Sequence, residues 1–306
     1  MKRAWMVGIV LAAVLAGGCN RGGDRKTIAL VPKAMDSEFW LAVRDGARKA
    51  VEGRDDVTLS VLAPDREINV DQQVSILEDQ IQRGAKVLVV APSGSAQVVP
   101  VLQGAIGRGI PVILVDADAP LQGKSSYVGT DNRAGGALAA RHLIETVREG
   151  KVALIHGVPG NQSQDDRAAG FLETLATAPA LQIVARQPAN SERSLGLNVM
   201  ENILTAHPDV KAVFATNDQM ALGAVEAIAA RGRTGTIAVV GFDATAEAVQ
   251  AISEGRMSAS VAQRPFEMGR RGIEAALALL DGRTVEPRID TGTELVTAAN
   301  AASYRR

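Results

Sequence analysis

The sequence predicts an α/β fold of two doubly wound parallel-sheet domains joined by three crossovers. Three observations predict it. From Thr27 onward, short apolar runs alternate with amphipathic stretches at helical spacing, the pattern of parallel sheets covered by helices on both faces. The alternation restarts after Gly129 and supplies more strands than one compact sheet of this kind usually carries. Most strands end in a carboxylate or an amide, and the carboxyl ends of strands in open α/β sheets are where ligands bind.

The first half reads in order as follows. Ile28–Val31 is a strand and Glu38–Val51 an amphipathic helix. Val57–Leu62 is the second strand. Val70, Val74, Leu77 and Ile81 are three and four apart, which predicts a helix over Val70–Arg83. Val87–Val90 is wholly apolar, as expected of a strand buried on both faces. A helix over Ala96–Arg108 stops near Gly109, Pro111–Val115 is a strand that hands over to Asp116, and Tyr127–Gly129 is a short fifth strand.

The second half repeats the period. Helices are predicted over Gly135–Val147, Asp166–Thr177, Leu195–Ala206, Ala221–Ala230, Ala246–Glu254 and Met268–Leu280. Strands are predicted at Val152–Ile155, Gln182–Ala185, Val210–Ala215, Ile237–Val240, Ser258–Ala262 and Leu295-Val296. Thr216, Asn217 and Asp218 stand where the helix after Val210–Ala215 needs a cap for its free N–H groups. No low-complexity linker separates the halves, so the crossovers are expected in extended segments near Gly129–Asn132, Ala262–Pro265 and Arg288–Thr293.

The N-terminus reads as an export signal. Lys2 and Arg3 precede an apolar core, Ala4–Ala16, that is shorter than the roughly 20 residues of a membrane span. Cys19 is the sole cysteine and follows small residues, with 20–26 as a polar tether. The formal net charge of −1 sets up no field for nucleic acid or an anionic surface. With aromatics at only 3 %, the adjacent Phe39-Trp40 stands out.

Several chemistries lack their signatures. There is no phosphate loop and no Gly-x-Gly-x-x-Gly after a strand. His142, His156 and His207 are far apart, no thiol remains beyond Cys19, and no nucleophile elbow is present, so neither a metal, a cofactor nor a catalytic residue is expected.

What the strand ends do supply is Asp116, Asn217 with Asp218, Asp243 and Gln263, joined by Arg167 near a helix start and by Phe39 and Trp40. Acceptors, mixed amide groups and one guanidinium fork suit a neutral polyhydroxylated ligand, whose hydroxyls donate and accept. An aromatic plane suits the apolar face of a sugar ring. Each residue taken singly also has a plain reading as a turn, cap or surface-pair residue. Lys33 is expected to be an exposed lysine solvating a loop, with reach to the cleft mouth as the alternative.

At these residues the chain resembles the periplasmic sugar-binding proteins of the ribose-binding type, relatives of the ligand-binding halves of LacI-family repressors. The likeness is carried by Gly196–Ala224, by Val239–Thr245 (VVGFDAT) and by the Asp-Gly-Ala at Asp45, and it runs from about Thr27 to Val296. It implies a type I periplasmic binding protein fold with lobes at 27–130 plus 263–291 and at 131–262 plus 292–306. It implies ligand contacts from Phe39, Trp40, Asp116, Arg167, Asn217, Asp243 and Gln263. Three departures touch the site. Ser37 stands in place of an asparagine, Asp116-Ala117 with a second carboxylate at Asp118 in place of Asp-Arg, and Ser191 beside Asn190 in place of an aromatic. Ser37 and Asp118 therefore join the candidate contacts, and ribose itself is in doubt.

Ala16–Cys19 likewise resembles a lipobox, which implies a 1–19 signal peptide and a lipid on Cys19; ordinary secretory cleavage is the alternative. The resemblance implies a monomeric, non-enzymatic receptor outside the inner membrane that closes on a monosaccharide or polyol. It would serve an ABC permease, with a chemotaxis transducer as a further partner. The alternatives are a nucleoside or signalling furanose in the same fold, a repressor, which would need a DNA-binding segment where the export signal stands, and a glycosidase built on Asp116 and Asp243.

Overall fold

The computed structural model describes residues 25–304. The signal segment and Cys19 lie outside the described residues. Strand and helix alternate as β1 (Lys26–Val31), α1 (Glu38–Ala50), β2 (Val57–Val61), α2 (Val70–Gln82), β3 (Val87–Val90), α3 (Val99–Gly107), β4 (Val112–Val115) and β5 (Ser126–Gly129). The chain continues through α4 (Asn132–Thr146), β6 (Gly150–His156), α5 (Gln162–Leu175), β7 (Leu181–Pro188), α6 (Arg193–Ala206), β8 (Val210–Ala215) and α7 (Asp218–Ala230). It closes with β9 (Ala238–Asp243), α8 (Ala246–Ser253), β10 (Ala259–Ala262), α9 (Pro265–Leu280), β11 (Arg288–Asp290) and β12 (Glu294–Thr297).

These strands build two six-stranded sheets, ordered β2-β1-β3-β4-β5-β11 and β7-β6-β8-β9-β10-β12. The orders are copies of one another, so each sheet has its topological switch point beside its first strand, where a doubly wound fold opens a crevice. Apolar clusters cover both faces of both sheets, which is why β3, β4 and β10 are buried at every residue. The chain passes between the sheets after β5, after β10 and after β11, in the segments where the sequence places its crossovers.

The structure departs from the sequence reading at element ends. Helix α4 starts at Asn132 because the Asp131 carboxylate accepts from Ala134 N–H at 3.0 Å, and α5 starts at Gln162 because Asn161 caps Gln164 N–H. Helix α9 starts at Pro265, whose missing N–H costs nothing in a first turn. The third crossover contains a strand, β11, paired parallel to β5. Strand β12 is antiparallel to β10, because β11 delivers the chain to the crevice end of the second sheet and it must run back.

Helix packing sets where the functional side chains point. Helices α4 and α5 meet through Gly136 and Gly170. A Cβ on Gly136 would lie 2.0 Å from the Arg167 carbonyl oxygen, and one on Gly170 2.0 Å from that of Arg133. Gly46 and Gly269 hold α1 to α9 in the same way. Backbone thus packs on backbone, and the helices bearing Arg167 and Phe39-Trp40 have little room to shift.

Candidate functional site

A cleft of about 500 Å³ lies between the carboxyl ends of the two sheets, and it is lined from both. Its size is that of a small-molecule site. Eight of the nine predicted contacts line it: Ser37, Phe39, Trp40, Asp116, Arg167, Asn217, Asp243 and Gln263.

The aromatic pair opens α1. The rings meet edge to face, centroids 4.9 Å apart at 87°, and both are buried in the core of the first sheet. Trp40 Nε1 donates to Glu67 Oε1 at 2.9 Å, which fixes the indole plane. Ser37 occupies the N-cap of α1, yet its hydroxyl makes no capping bond and stays free at the cleft wall.

Lys33, just past β1, is 1 % exposed, so the expectation of a solvated surface lysine is corrected. Its Nζ lies 2.6 Å from Asp116 Oδ2 and donates to Asn161 Oδ1 at 3.0 Å and Ser163 Oγ at 3.1 Å. An ion pair and two hydrogen bonds surround the ammonium, which is what allows it to be buried. Asp116 sits at φ 61°, in a tight turn in which Ala117 N–H donates to the Val115 carbonyl at 2.7 Å. That strained turn aims the carboxylate into the cleft.

Arg167 faces Asp116 from the other lobe. Its guanidinium lies over the Phe242 ring, 3.9 Å from the centroid. Nε donates to Asn132 Oδ1 and Nη1 to the Thr216 carbonyl, both at 2.9 Å. The Asp116 and Asp243 carboxylates each stand 3.8 Å away, too far for a direct hydrogen bond. The fork is pinned in place while its carboxylate neighbours keep room for another group.

Asp243 ends β9 at φ 118°, and Ala244 follows at φ 50°, a second strained turn under a cleft carboxylate. Gln263 Nε2 donates to Asp243 Oδ1 at 2.7 Å, while Gln263 Oε1 is buried and has no partner. Burial holds the Asp243 carboxyl well above the usual carboxylate range, with Arg167 opposing. Asn217 caps α7 through Met220 N–H at 3.0 Å and also donates to the Ser191 carbonyl at 3.3 Å. Cap and cleft residue are the same side chain.

Asp218 does not reach the cleft. It is fully buried behind the Asp243 turn, accepting from Thr245 N–H at 2.8 Å and from Ser260 Oγ at 2.7 Å. Burial pushes its carboxyl up to about 7, with those hydrogen bonds pulling the other way. It buttresses the loop that carries Asp243.

Asp118 is the predicted contact that lies elsewhere. The turn at Asp116 reverses the chain, and Asp118 lines a separate groove, paired with Lys124. In the other direction, Glu67, Arg66, Gln164 and Glu192 line the cleft although the sequence does not single them out, and so do Lys33, whose alternative reading reaches the cleft mouth, and Ser191, one of the departures at the site. Lys33 had a signal, a lysine closing a strand; Glu67 and Arg66 lie in a polar loop that offers none.

Several bonds join the lobes. Asn161 Nδ2 donates to the Pro92 and Ser93 carbonyls at 2.9 and 3.0 Å. At the mouth Arg66 pairs with Glu192, and the Glu38 carboxylate accepts from Ala246 N–H at 3.0 Å. These bonds hold the lobes in a closed arrangement.

Residues 28–284 match the family model described as periplasmic binding protein domain. The ribose import binding protein RbsB of Escherichia coli (strain K12) is 36 % identical, the match covering 94 % of this chain and 96 % of that one. Two solved structures agree in fold. A carbohydrate transporter solute binding protein of Agrobacterium radiobacter, in complex with D-arabinose, is 34 % identical with a TM-score of 0.87, covering 90 % of this chain and 96 % of that one. An ABC transporter solute binding protein of Agrobacterium vitis with bound D-fucose gives 32 % identity, the same TM-score of 0.87 and the same coverage, 90 % and 96 %. A shared two-sheet fold and a match along nearly the whole chain place this protein in the family of periplasmic binding proteins of the ribose-binding type.

Proposed function

We propose that this chain is an extracytoplasmic receptor that closes its lobes, 27–130 plus 263–291 and 131–262 plus 292–306, on a monosaccharide or similar small polyol and presents it to an ABC-type importer. The observation that carries this reading is the Arg167 fork, fixed over Phe242 between two carboxylates that stand 3.8 Å off it. A ligand with several hydroxyls accepts from the fork and donates to Asp116 and Asp243, and to the open Gln263 Oε1. Phe39 and Trp40 cover its apolar face from the first lobe, and Asn217 closes the second. Ser37 donates at the rim; Asp118 takes no part.

Contacts shared between lobes supply the differential affinity that closure needs. The bound D-arabinose and D-fucose of the two solved relatives support a small monosaccharide as the ligand class. In this reading the export signal ends at Cys19, whose lipid tethers the receptor to the membrane; retention of Cys19→Ser on membranes would remove that element.

A thermal-shift screen against pentoses, hexoses, deoxy sugars, inositols and nucleosides tests the function. A ligand at about a hundredfold its Kd stabilises the folded state by roughly 2.7 kcal/mol, which raises Tm by several degrees. A shift from a sugar or polyol is the expected result, and a shift from nucleosides alone would replace the ligand class.

A further inference from the structure

A seam of polar bonds joins the lobes beside the cleft, between the loop after β3 and the start of α5. Asn161 is at its centre and is fully buried. Both protons of its Nδ2 go to the first lobe, to the Pro92 carbonyl at 2.9 Å and the Ser93 carbonyl at 3.0 Å. Its Oδ1 accepts from Lys33 Nζ of the first lobe at 3.0 Å. Around it, Ser95 N–H donates to the Gly160 carbonyl at 3.1 Å, Gln162 N–H to Ser95 Oγ at 3.0 Å, and Lys33 Nζ to Ser163 Oγ at 3.1 Å. Of these residues only Lys33 lines the cleft. The seam therefore forms when the lobes close, whatever the ligand.

Each half of the seam is built within its own lobe. Gln73 of α2, itself fully buried, accepts from Ser93 N–H at 2.8 Å and donates to the Pro32 and Ala91 carbonyls at 3.2 and 2.9 Å. Those bonds fix the loop that presents the Pro92 and Ser93 carbonyls. In the second lobe, Asn161 Oδ1 caps α5 through Gln164 N–H at 3.4 Å and accepts from Ser163 Oγ at 2.8 Å, which aims Nδ2 at the first lobe. Donors and acceptors held ready in this way lose little entropy when they meet. Water replaces the partners when the lobes part, so each bond contributes only its net value, but all of them act on one equilibrium.

We infer that Asn161 is the latch of this interlobe seam, and that it favours the closed form before any ligand contact is made. It is a positioning residue: it does not line the cleft, and it acts by raising the fraction of protein in which the two halves of the cleft face each other. Apparent affinity scales with that fraction, so the seam strengthens the binding of every ligand by one factor and leaves selectivity to the cleft side chains. This role rests on the closing-receptor reading above and adds to it a contribution independent of the ligand's chemistry.

Double electron–electron resonance tests it, on the protein without residues 1–19, spin-labelled through Leu62→Cys and Glu201→Cys. Both positions are exposed, they lie in different lobes, and no other cysteine remains. Without ligand, the protein with Asn161 is expected to show a closed population beside an open one. Asn161→Asp keeps the α5 cap and the Lys33 partner but turns an oxygen toward the two carbonyls. It is expected to lower the closed-to-open ratio by about tenfold. Ser95→Ala, which removes only the acceptor of Gln162 N–H, is expected to lower it by about threefold. In both variants the Kd of every sugar or polyol that binds is expected to rise by a common factor. No closed population in the protein with Asn161, a ratio that Asn161→Asp leaves unchanged, or Kd changes that differ from ligand to ligand would overturn the latch. Silence from all sugars and polyols would contradict the sugar-binding reading, while the ligand-free populations would still decide the latch.

Discussion

Lys33 Nζ and Asp116 Oδ2 lie 2.6 Å apart, with neither side chain more than 3 % exposed. The pair joins the ends of β1 and β4 across the switch point of the first sheet, and through Asn161 and Ser163 it touches the second lobe. Removing one partner of a buried pair strands the other charge. Lys33→Met is expected to lower the unfolding free energy by about 3 kcal/mol and to weaken ligand binding. Urea unfolding beside a binding titration checks both; a loss under about 1 kcal/mol would mean that Asp116 does not need its lysine.

The Arg66–Glu192 bridge is a different kind of contact. It spans the cleft mouth but Arg66 is half exposed, so solvent screens it. Arg66→Ala is expected to leave Tm nearly unchanged and to weaken binding by no more than about fivefold, through a faster off-rate. Stopped-flow dissociation at low and high salt reads this directly, and the effect should shrink at high salt.

Asp218 gives stability a pH dependence of definite sign. Its carboxyl is raised from the ordinary 3.8 to about 7 in the fold. Between those values the folded state holds a proton that the unfolded state has lost, so this group's contribution is full below 3.8 and falls as pH rises toward 7. The fall is at most about 1.4 kcal/mol per pH unit. Chemical unfolding from acid to neutral pH should show a shallower decline in Asp218→Asn than in the natural chain, since other carboxylates are common to both.

Gly170 is predicted to be intolerant of any side chain. A methyl there would stand 2.0 Å from the Arg133 carbonyl oxygen and push α5, with Arg167, away from α4. Gly170→Ala is expected to cost about 2 kcal/mol and to reduce ligand affinity. Thermal unfolding of Gly170→Ala beside Gly104→Ala, a helical glycine with open space around it, separates this clash from a helix-propensity effect.

Much of this architecture was legible because buried parallel strands announce themselves. Val87–Val90 and Val210–Ala215 match the observed strands residue for residue. Strand β11 was not legible: Arg288–Asp290 is short, polar and mostly exposed, and only its pairing with β5 makes it a strand. Helix starts were read late at Asn132 and Gln162, where capping rather than apolar periodicity sets the boundary. The cleft followed the strand ends closely, since topology alone brings them together. Lys33 was misjudged because its burial depends on partners in β4's turn and in α5, which no local pattern reveals. Asp118 was misplaced because adjacency to Asp116 says nothing of a turn at φ 61°.

The central claim is that the cleft beside Trp40 holds a sugar or polyol on the Arg167 fork. Of the chain's two tryptophans, Trp5 lies in the segment read as the export signal, so the protein without residues 1–19 has Trp40 as its sole tryptophan reporter, inside the cleft wall. Titrating that protein with monosaccharides, amino sugars and cyclitols while following Trp40 emission is the most direct test. The account predicts a saturable single-site change for at least one of them, abolished by Arg167→Ala. A flat response to all of them, or a response that survives Arg167→Ala, would contradict it.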